Sequence, residues 1–262
     1  MSASPAVVTA SAPADVRFRY AVHLGDTSLI LAQRLGEWVG HAPALEEDLA
    51  LANIALDLLG QARHLLSYAG EIEGKGRSED DLAFLRDPSD FMNLGLVEQP
   101  NVDFGHTIVR QFLIDAWQLE LFERLQSSSE PRFAELAAKA LKETRYHYRF
   151  SAGWMVRLGD GTEESNKRVQ AGLDALWKFT AEIFAPGAVD EEAAAAGLGP
   201  DPASLRAAWL ANVEQVLQEA TLKKPADVSY RWYGKRQQHT EHLSHLLAEM
   251  QFMQRTYPGS QW

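Results

Sequence analysis

Asp48-Leu-Ala-Leu-Ala-Asn-Ile-Ala-Leu-Asp-Leu-Leu-Gly-Gln-Ala-Arg63 is apolar around most of a helical circumference, with one polar row running through it. Ala, Leu, Gln and Arg favour the helix, and the run holds no proline. Asn53, Asp57, Gln61 and His64 recur at steps of four, four and three, which places them on one helical face. A helix this apolar is buried on more than one side. Its polar row must then meet other polar groups, because unpaired buried polar atoms are costly. The stretch points to an all-α bundle whose polar rows face one another.

The same arrangement recurs outward from this helix. Residues 104–125 place Gln111, Asp115 and Gln118 among Phe112, Leu113, Ile114, Trp117, Leu119 and Phe122. Residues 131–158 set Lys139, Glu143 and His147 four apart. A first helix over 20–39 carries Glu37, and the quoted stretch extends to 44–72 before Gly74-Lys75-Gly76-Arg77 ends it. A short helix over 80–86 follows, with Ser78 and Asp81 spaced as a capping pair. Residues 87–101 are irregular. Thr162 caps a helix reaching residue 184, and further helices cover 191–196, 202–221 and 239–255. Pro43, Pro88, Pro100, Pro131, Pro186, Pro225 and Pro258 open, border or interrupt these segments. Alternating Val, Ile and Thr runs, the signature of a sheet, are absent. The expectation is one helical domain over 18–262 behind a disordered tail at 1–17.

The chain has 262 residues, 46% of them hydrophobic, and a formal net charge of -11. That balance argues against nucleic acid and against an anionic membrane surface. There is no cysteine, hence no disulfide framework and no thiolate metal site. No stretch reads as a membrane span, and the N-terminus lacks the basic start and apolar core of a signal peptide. A cytoplasmic protein is the expectation.

Glu37, Asp57, Asp115 and Glu143 fall in four helical stretches in the order a di-iron bundle uses. Such a site takes one Glu from each of two helices and a Glu-x-x-His pair from each of the others. Here the histidine positions hold Gly60 and Tyr146. His147 lies one residue further, about 100° around the helix, and would need a π-bulge to take the place of residue 146. Two readings stand: an altered metal site, or a buried network with Arg34, Arg63, Arg110, Lys139, Lys142 and Arg145 as countercharge. Without metal or countercharge, clustered carboxylates could not all ionise. A side chain at Tyr146, with Arg63, Lys139 or Arg145, filling the space between the carboxylates would close the site.

His239, His242 and His245 recur every third residue, a set that could hold zinc. Steps of three drift around a helix, and Leu243, Leu246, Leu247, Met250 and Met253 mark the segment as a packing surface. Trp177, Phe179 and Phe184 read as core. Trp209 and Tyr230-Arg-Trp-Tyr233 read as contact surface, since Tyr, Trp and Arg are frequent interface anchors. No phosphate-binding loop, dinucleotide fingerprint or nucleophile elbow occurs.

Several longer runs carry a resemblance. They are Leu24-Gly-Asp-Thr-Ser-Leu-Ile-Leu-Ala-Gln-Arg-Leu-Gly-Glu-Trp-Val-Gly-His-Ala-Pro43, the quoted Asp48–Arg63 stretch, and Val97-Glu-Gln-Pro-Asn101. Ile114-Asp-Ala-Trp117, Lys142-Glu-Thr-Arg-Tyr-His147, His239-Thr-Glu-His242 and Pro258-Gly-Ser-Gln-Trp262 agree with them. Across about residues 18–262 the chain resembles the C subunits of bacterial phenylacetyl-CoA epoxidases. The resemblance implies a ferritin-like four-helix bundle with additional C-terminal helices. It implies a part in a monooxygenase that places one oxygen atom of O2 across the ring of phenylacetyl-CoA, early in aerobic phenylacetate catabolism. In that family a related A subunit holds the di-iron centre and substrate, a B subunit bridges the hetero-oligomer, and a reductase supplies electrons. The C subunit is a non-catalytic structural partner. By this reading the chain has no catalytic, cofactor-binding or metal residues of its own. Glu37, Asp57, Gly60, Asp115, Glu143, Tyr146 and His147 are then the degenerate remnant of a di-iron site. The alternatives are a self-contained di-iron oxygenase or ferroxidase using the residual carboxylates with His147, and a small-molecule-binding bundle. The outward faces of the second and third long helices are the expected contact surface.

Overall fold

The computed structural model describes residues 15–228 and 234–260. Most of the anticipated tail (residues 1–14) and the Tyr230–Tyr233 cluster lie outside the described residues. Helix α1 (Val16–Trp38) begins where Asp15 accepts a hydrogen bond from the Arg17 amide at 2.8 Å. Val16 and Arg17 therefore belong to the bundle, not to a tail. Asp15 is the start signal that a Tyr20 boundary overlooks.

Helix α2 (Leu45–Glu73) stops at Gly74, whose φ of 66° suits glycine. Helix α3 (Glu79–Phe84) carries the anticipated Ser78–Asp81 capping box. Helix α4 (Phe104–Leu125) is capped by Asp103, and α5 (Pro131–Gly159) opens on proline. There follow α6 (Glu163–Leu176), α7 (Thr180–Phe184), α8 (Ala188–Ala195), α9 (Pro202–Glu219), α10 (Glu241–Met250) and α11 (Phe252–Thr256). No strand occurs among the described residues. No helix among them is long and apolar enough to cross a membrane.

The bundle is built from two helix pairs, α1 along α2 and α4 along α5. Helices α6 and α9 cover α4, α8 rests on α1, and α2 meets α5. Enclosure on three sides leaves α4 buried along almost its whole length, so it presents no outward contact face. Helix α2 does keep one, described below.

The segment expected as one helix to residue 184 is interrupted by a 3-10 turn at Trp177–Phe179. There Trp177 packs 5.6 Å from Trp209, ring centre to ring centre. Trp209 is core rather than contact surface: its Nε1 donates to the Leu113 carbonyl at 3.1 Å, and Phe184 packs 4.9 Å away. An indole that satisfies its one donor can be sealed inside.

The C-terminal segment is a strap across residues 83–99. His239 Nδ1 meets Glu98 Oε1 at 2.5 Å and its Nε2 meets the Phe91 carbonyl at 2.8 Å. Thr240 donates to Glu98 Oε2 through both its amide and its hydroxyl, at 2.8 and 2.7 Å. Asn93 Nδ2 donates to Glu98 Oε1 at 3.0 Å, so this wholly buried carboxyl group is well provided. Gln251, where the expected 239–255 helix breaks, donates to the Ala83 and Arg86 carbonyls at 3.0 Å each. The three histidines do not converge: His239 is spent on Glu98 ahead of α10, His242 is half-buried, and His245 is exposed.

Candidate degenerate metal centre

Helices α2 and α5 run antiparallel where they meet. Asp57 stands opposite His147, and Gln61 opposite Glu143. His147 is fully buried and its Nε2 lies 2.9 Å from Asp57 Oδ2, while the Asp57 side chain stays 40% exposed. Gln61 Nε2 donates to Glu143 Oε2 at 3.3 Å, and Lys139 Nζ lies 3.9 Å from the other Glu143 oxygen. Asp115 enters from α4 with no exposed surface. It accepts hydrogen bonds from Gln111 Nε2 at 2.6 Å and Ser151 Oγ at 2.7 Å. Burial pushes the Asp115 carboxyl up to about 6, against the pull of nearby His147 and these two donors.

Three of the four carboxylates thus share one neighbourhood, and Glu37 does not. Arg34 Nη1 holds both Glu37 oxygens, at 2.9 and 2.8 Å, at the open end of α1. Asn101 Nδ2 adds a bond at 3.3 Å. Gly60 is half-buried, and a Cβ there would meet nothing within 4 Å. Tyr146 is exposed, with the Arg149 guanidinium 5.8 Å from its ring centre, and so does not close the site. Arg63 is spent on Glu79 at the surface, 3.1 Å away, and Arg145 is exposed.

The sequence reading set α5 one residue out of phase. Its buried stripe runs Phe133, Ala137, Ala140, Thr144, His147, Ser151 and Met155, at steps of three and four. That stripe puts His147 inside, Glu143 at the edge and Tyr146 outside, on an uninterrupted α-helix with no π-bulge. Anchoring the helix on Glu143 as core produced the error. Ser151 was missed as well, although extending the row Glu143–His147 by one more step of four would have reached it. Glu98 and its network gave no periodic signal, since the segment around Glu98 is irregular.

These residues do not fit an iron pair. His147 has spent Nε2 on Asp57, Glu37 is held elsewhere by Arg34, and Gly60 offers no donor. Among the described residues no group of three His, Cys, Asp or Glu is placed to hold a metal ion. The buried atoms of this layer that lack a protein partner are Gln61, Gln111 and Gln118 Oε1, Thr144 Oγ1 and His147 Nδ1. That is a neutral donor set, unlike the carboxylate-rich set that iron takes. What the arrangement can do chemically is hold a proton on the sealed Asp115 carboxyl. Arg110, also buried on α4, is spent structurally: it donates to the Gln99 carbonyl at 2.5 Å and to Asn101 Oδ1 at 2.6 Å. Burial, with Arg34 nearby, brings its pKa down to about 9.

A family model described as phenylacetic acid catabolic protein matches residues 2–262. The chain belongs to that family. The C subunit of 1,2-phenylacetyl-CoA epoxidase from Escherichia coli (strain K12) is 56% identical over 243 residues, which are 93% of this chain and 98% of the relative. Among solved structures, a Synechococcus protein with aldehyde deformylating oxidase activity superposes with a TM-score of 0.56 at 14% identity. That match covers 80% of this chain and 94% of the other. At that identity it speaks for the fold alone, and the fold is a ferritin-like helical bundle. This member of the phenylacetic acid catabolic family keeps the bundle, with Asp57 and Asp115 of its polar layer bonded to side chains of the same chain.

Proposed function

We propose that the chain is the non-catalytic structural component of a multicomponent phenylacetyl-CoA 1,2-epoxidase in aerobic phenylacetate degradation. It supports a di-iron A subunit, within a cytoplasmic complex that includes a bridging B subunit and receives electrons from a reductase. The observation that carries this reading is the 56% identity to the C subunit of an epoxidase along nearly the whole of both chains. The polar layer is consistent with it, because Asp57 is engaged with His147, Asp115 with Gln111 and Ser151, and Glu143 with Gln61. The chain contributes shape rather than chemistry: a rigid bundle against which a catalytic bundle holds its own geometry.

The test is to purify the chain alone and together with the A and B subunits, and to measure iron content and oxygen-dependent epoxide formation from phenylacetyl-CoA. The chain alone is expected to bind no stoichiometric iron and to turn over nothing, whereas omitting it from the complex abolishes activity. About two irons per isolated chain, with turnover, would overturn the reading in favour of a self-contained oxygenase. Under that alternative Glu143→Ala abolishes activity. Under the structural reading it does little, because Glu143 sits at the edge of α5.

A further inference from the structure

Helix α2 carries an outward apolar row. Leu45, Leu49 and Leu56 are 69, 55 and 64% exposed, and Gly60 continues the row one turn on. Their steps of four, seven and four keep them on one face over roughly 22 Å of helix. Exposed Val39 joins its upper end, where the Gly40 amide donates to Asp48 Oδ1 at 2.8 Å and ties the turn to α2. Such a row of leucines stays more than half exposed on its own chain and is costly to leave in water unless something covers it.

The neighbouring helix supplies the charge. Contacts from Asp57 to His147 and from Gln61 to Glu143 set the outer face of α5 alongside this row. In a chain of net charge -11, that face exposes Lys139, Lys142, Arg145 and Arg149. Helix α5 as a whole carries more basic than acidic residues, and Glu135 and Glu143 are its only acids. A positive edge on an acidic molecule selects an acidic partner.

We propose that the α2–α5 face docks a helical partner subunit whose contact surface is apolar at its centre and carboxylate-rich along the edge meeting α5. The proposal rests on reading the chain as one part of a larger enzyme, and it goes further by assigning the surface and the partner's chemistry. Leu45, Leu49 and Leu56 would fill the grooves of the opposing helices. Gly60, whose Cβ position is open, would let a partner backbone approach closely. A second exposed apolar patch, Leu85 with Phe252, Met253 and Tyr257, serves as the comparison surface.

The experiment co-expresses the full-length chain with an affinity-tagged A subunit and the B subunit, and measures the chain retained on the tag at rising salt. Each variant is first checked by its thermal melt. Wild-type chain is expected to be monomeric alone and to co-purify stoichiometrically. Leu49→Glu with Leu56→Glu is expected to reduce retention by roughly tenfold or more, as loss of central anchors does. Gly60→Trp, whose Cβ meets nothing of its own chain within 4 Å, gives the same loss without altering the leucines. Lys142→Glu with Arg145→Glu weakens retention and flattens its salt dependence. Phe252→Glu leaves retention unchanged. If the leucine and Gly60 variants co-purify as wild type while Phe252→Glu is lost, the surface assignment falls and the reading as part of a larger enzyme stands. A wild-type chain that co-purifies with neither partner strikes that reading itself. A dimer of the chain alone that Leu56→Glu dissolves overturns the proposal and gives the face to a second copy.

Discussion

A carboxyl group sealed like that of Asp115 loses its water and keeps two hydrogen-bond donors, Gln111 and Ser151. Its folded pKa of about 6 lies above the ordinary 3.8. Between those values the unfolded chain ionises while the folded group holds its proton, so this residue's contribution favours folding most below about pH 4. The contribution declines as pH rises towards 6. Asp115→Asn removes the effect, so its melting temperature relative to wild type should climb from pH 4 to 6 and level off above 7. A difference that stays flat across that range would show that Asp115 is not held protonated. His239 behaves in the opposite sense. Burial alone would lower its pKa, but the Glu98 contact, the Phe91 carbonyl and the charge of Glu182 outweigh burial and raise it above 6.5. A raised histidine stabilises fully below about 6.5 and loses that contribution as pH climbs through the folded value. Wild type should therefore exceed His239→Gln in melting temperature at pH 6, by a margin that shrinks towards pH 9. The His239–Glu98 contact is not legible from sequence, since the two residues stand 141 apart and Glu98 lies in a segment without periodicity.

At the scale of elements, periodicity and capping residues located the helices well, because local rules govern both. The Ser78–Asp81 box and the glycine ending α2 are read directly from residue type. Helix phase was harder. The buried stripe of α5 follows Ala140, Thr144 and Ser151 as much as its charges, and small residues carry little hydropathic signal. The break at Trp177–Phe179 comes from packing against Trp209, a tertiary cause no local pattern announces. Glycines of α2 give a paired prediction. Gly60→Ala adds a methyl into open space, removes a poor helix former and should stabilise by about 0.5–1 kcal/mol. Gly70→Ala would place its Cβ 2.3 Å from the Arg77 carbonyl oxygen and should destabilise by about 1–3 kcal/mol. Urea melts of the two variants check both signs.

For the whole molecule, an all-α bundle followed from helical stretches and absent sheet patterns, whereas the substrate and the partners came only through likeness to a family. Spacing alone left the polar layer open between metal site and network. The side chains around Asp57, Asp115 and His147 settle its internal bonding, because rotation of α5 by one residue was the missing quantity. If the layer is structural, removing His147 should cost stability rather than chemistry. His147→Ala leaves Asp57 without its partner and opens a hole between α2 and α5, so a loss of about 2–4 kcal/mol in a denaturant melt is expected.

The strap that seats His239 and Thr240 on Glu98 has a consequence for biosynthesis. Glu98 leaves the ribosome 141 residues before His239 does. At about 5–20 residues per second, the connection between α3 and α4 waits roughly 7–28 seconds for the groups that complete it. The α1–α2 and α4–α5 pairs can form during that interval, but the end of the bundle around Phe91 and Asn93 cannot close. A nascent chain stalled before residue 239 would therefore offer chaperones and proteases an open bundle end.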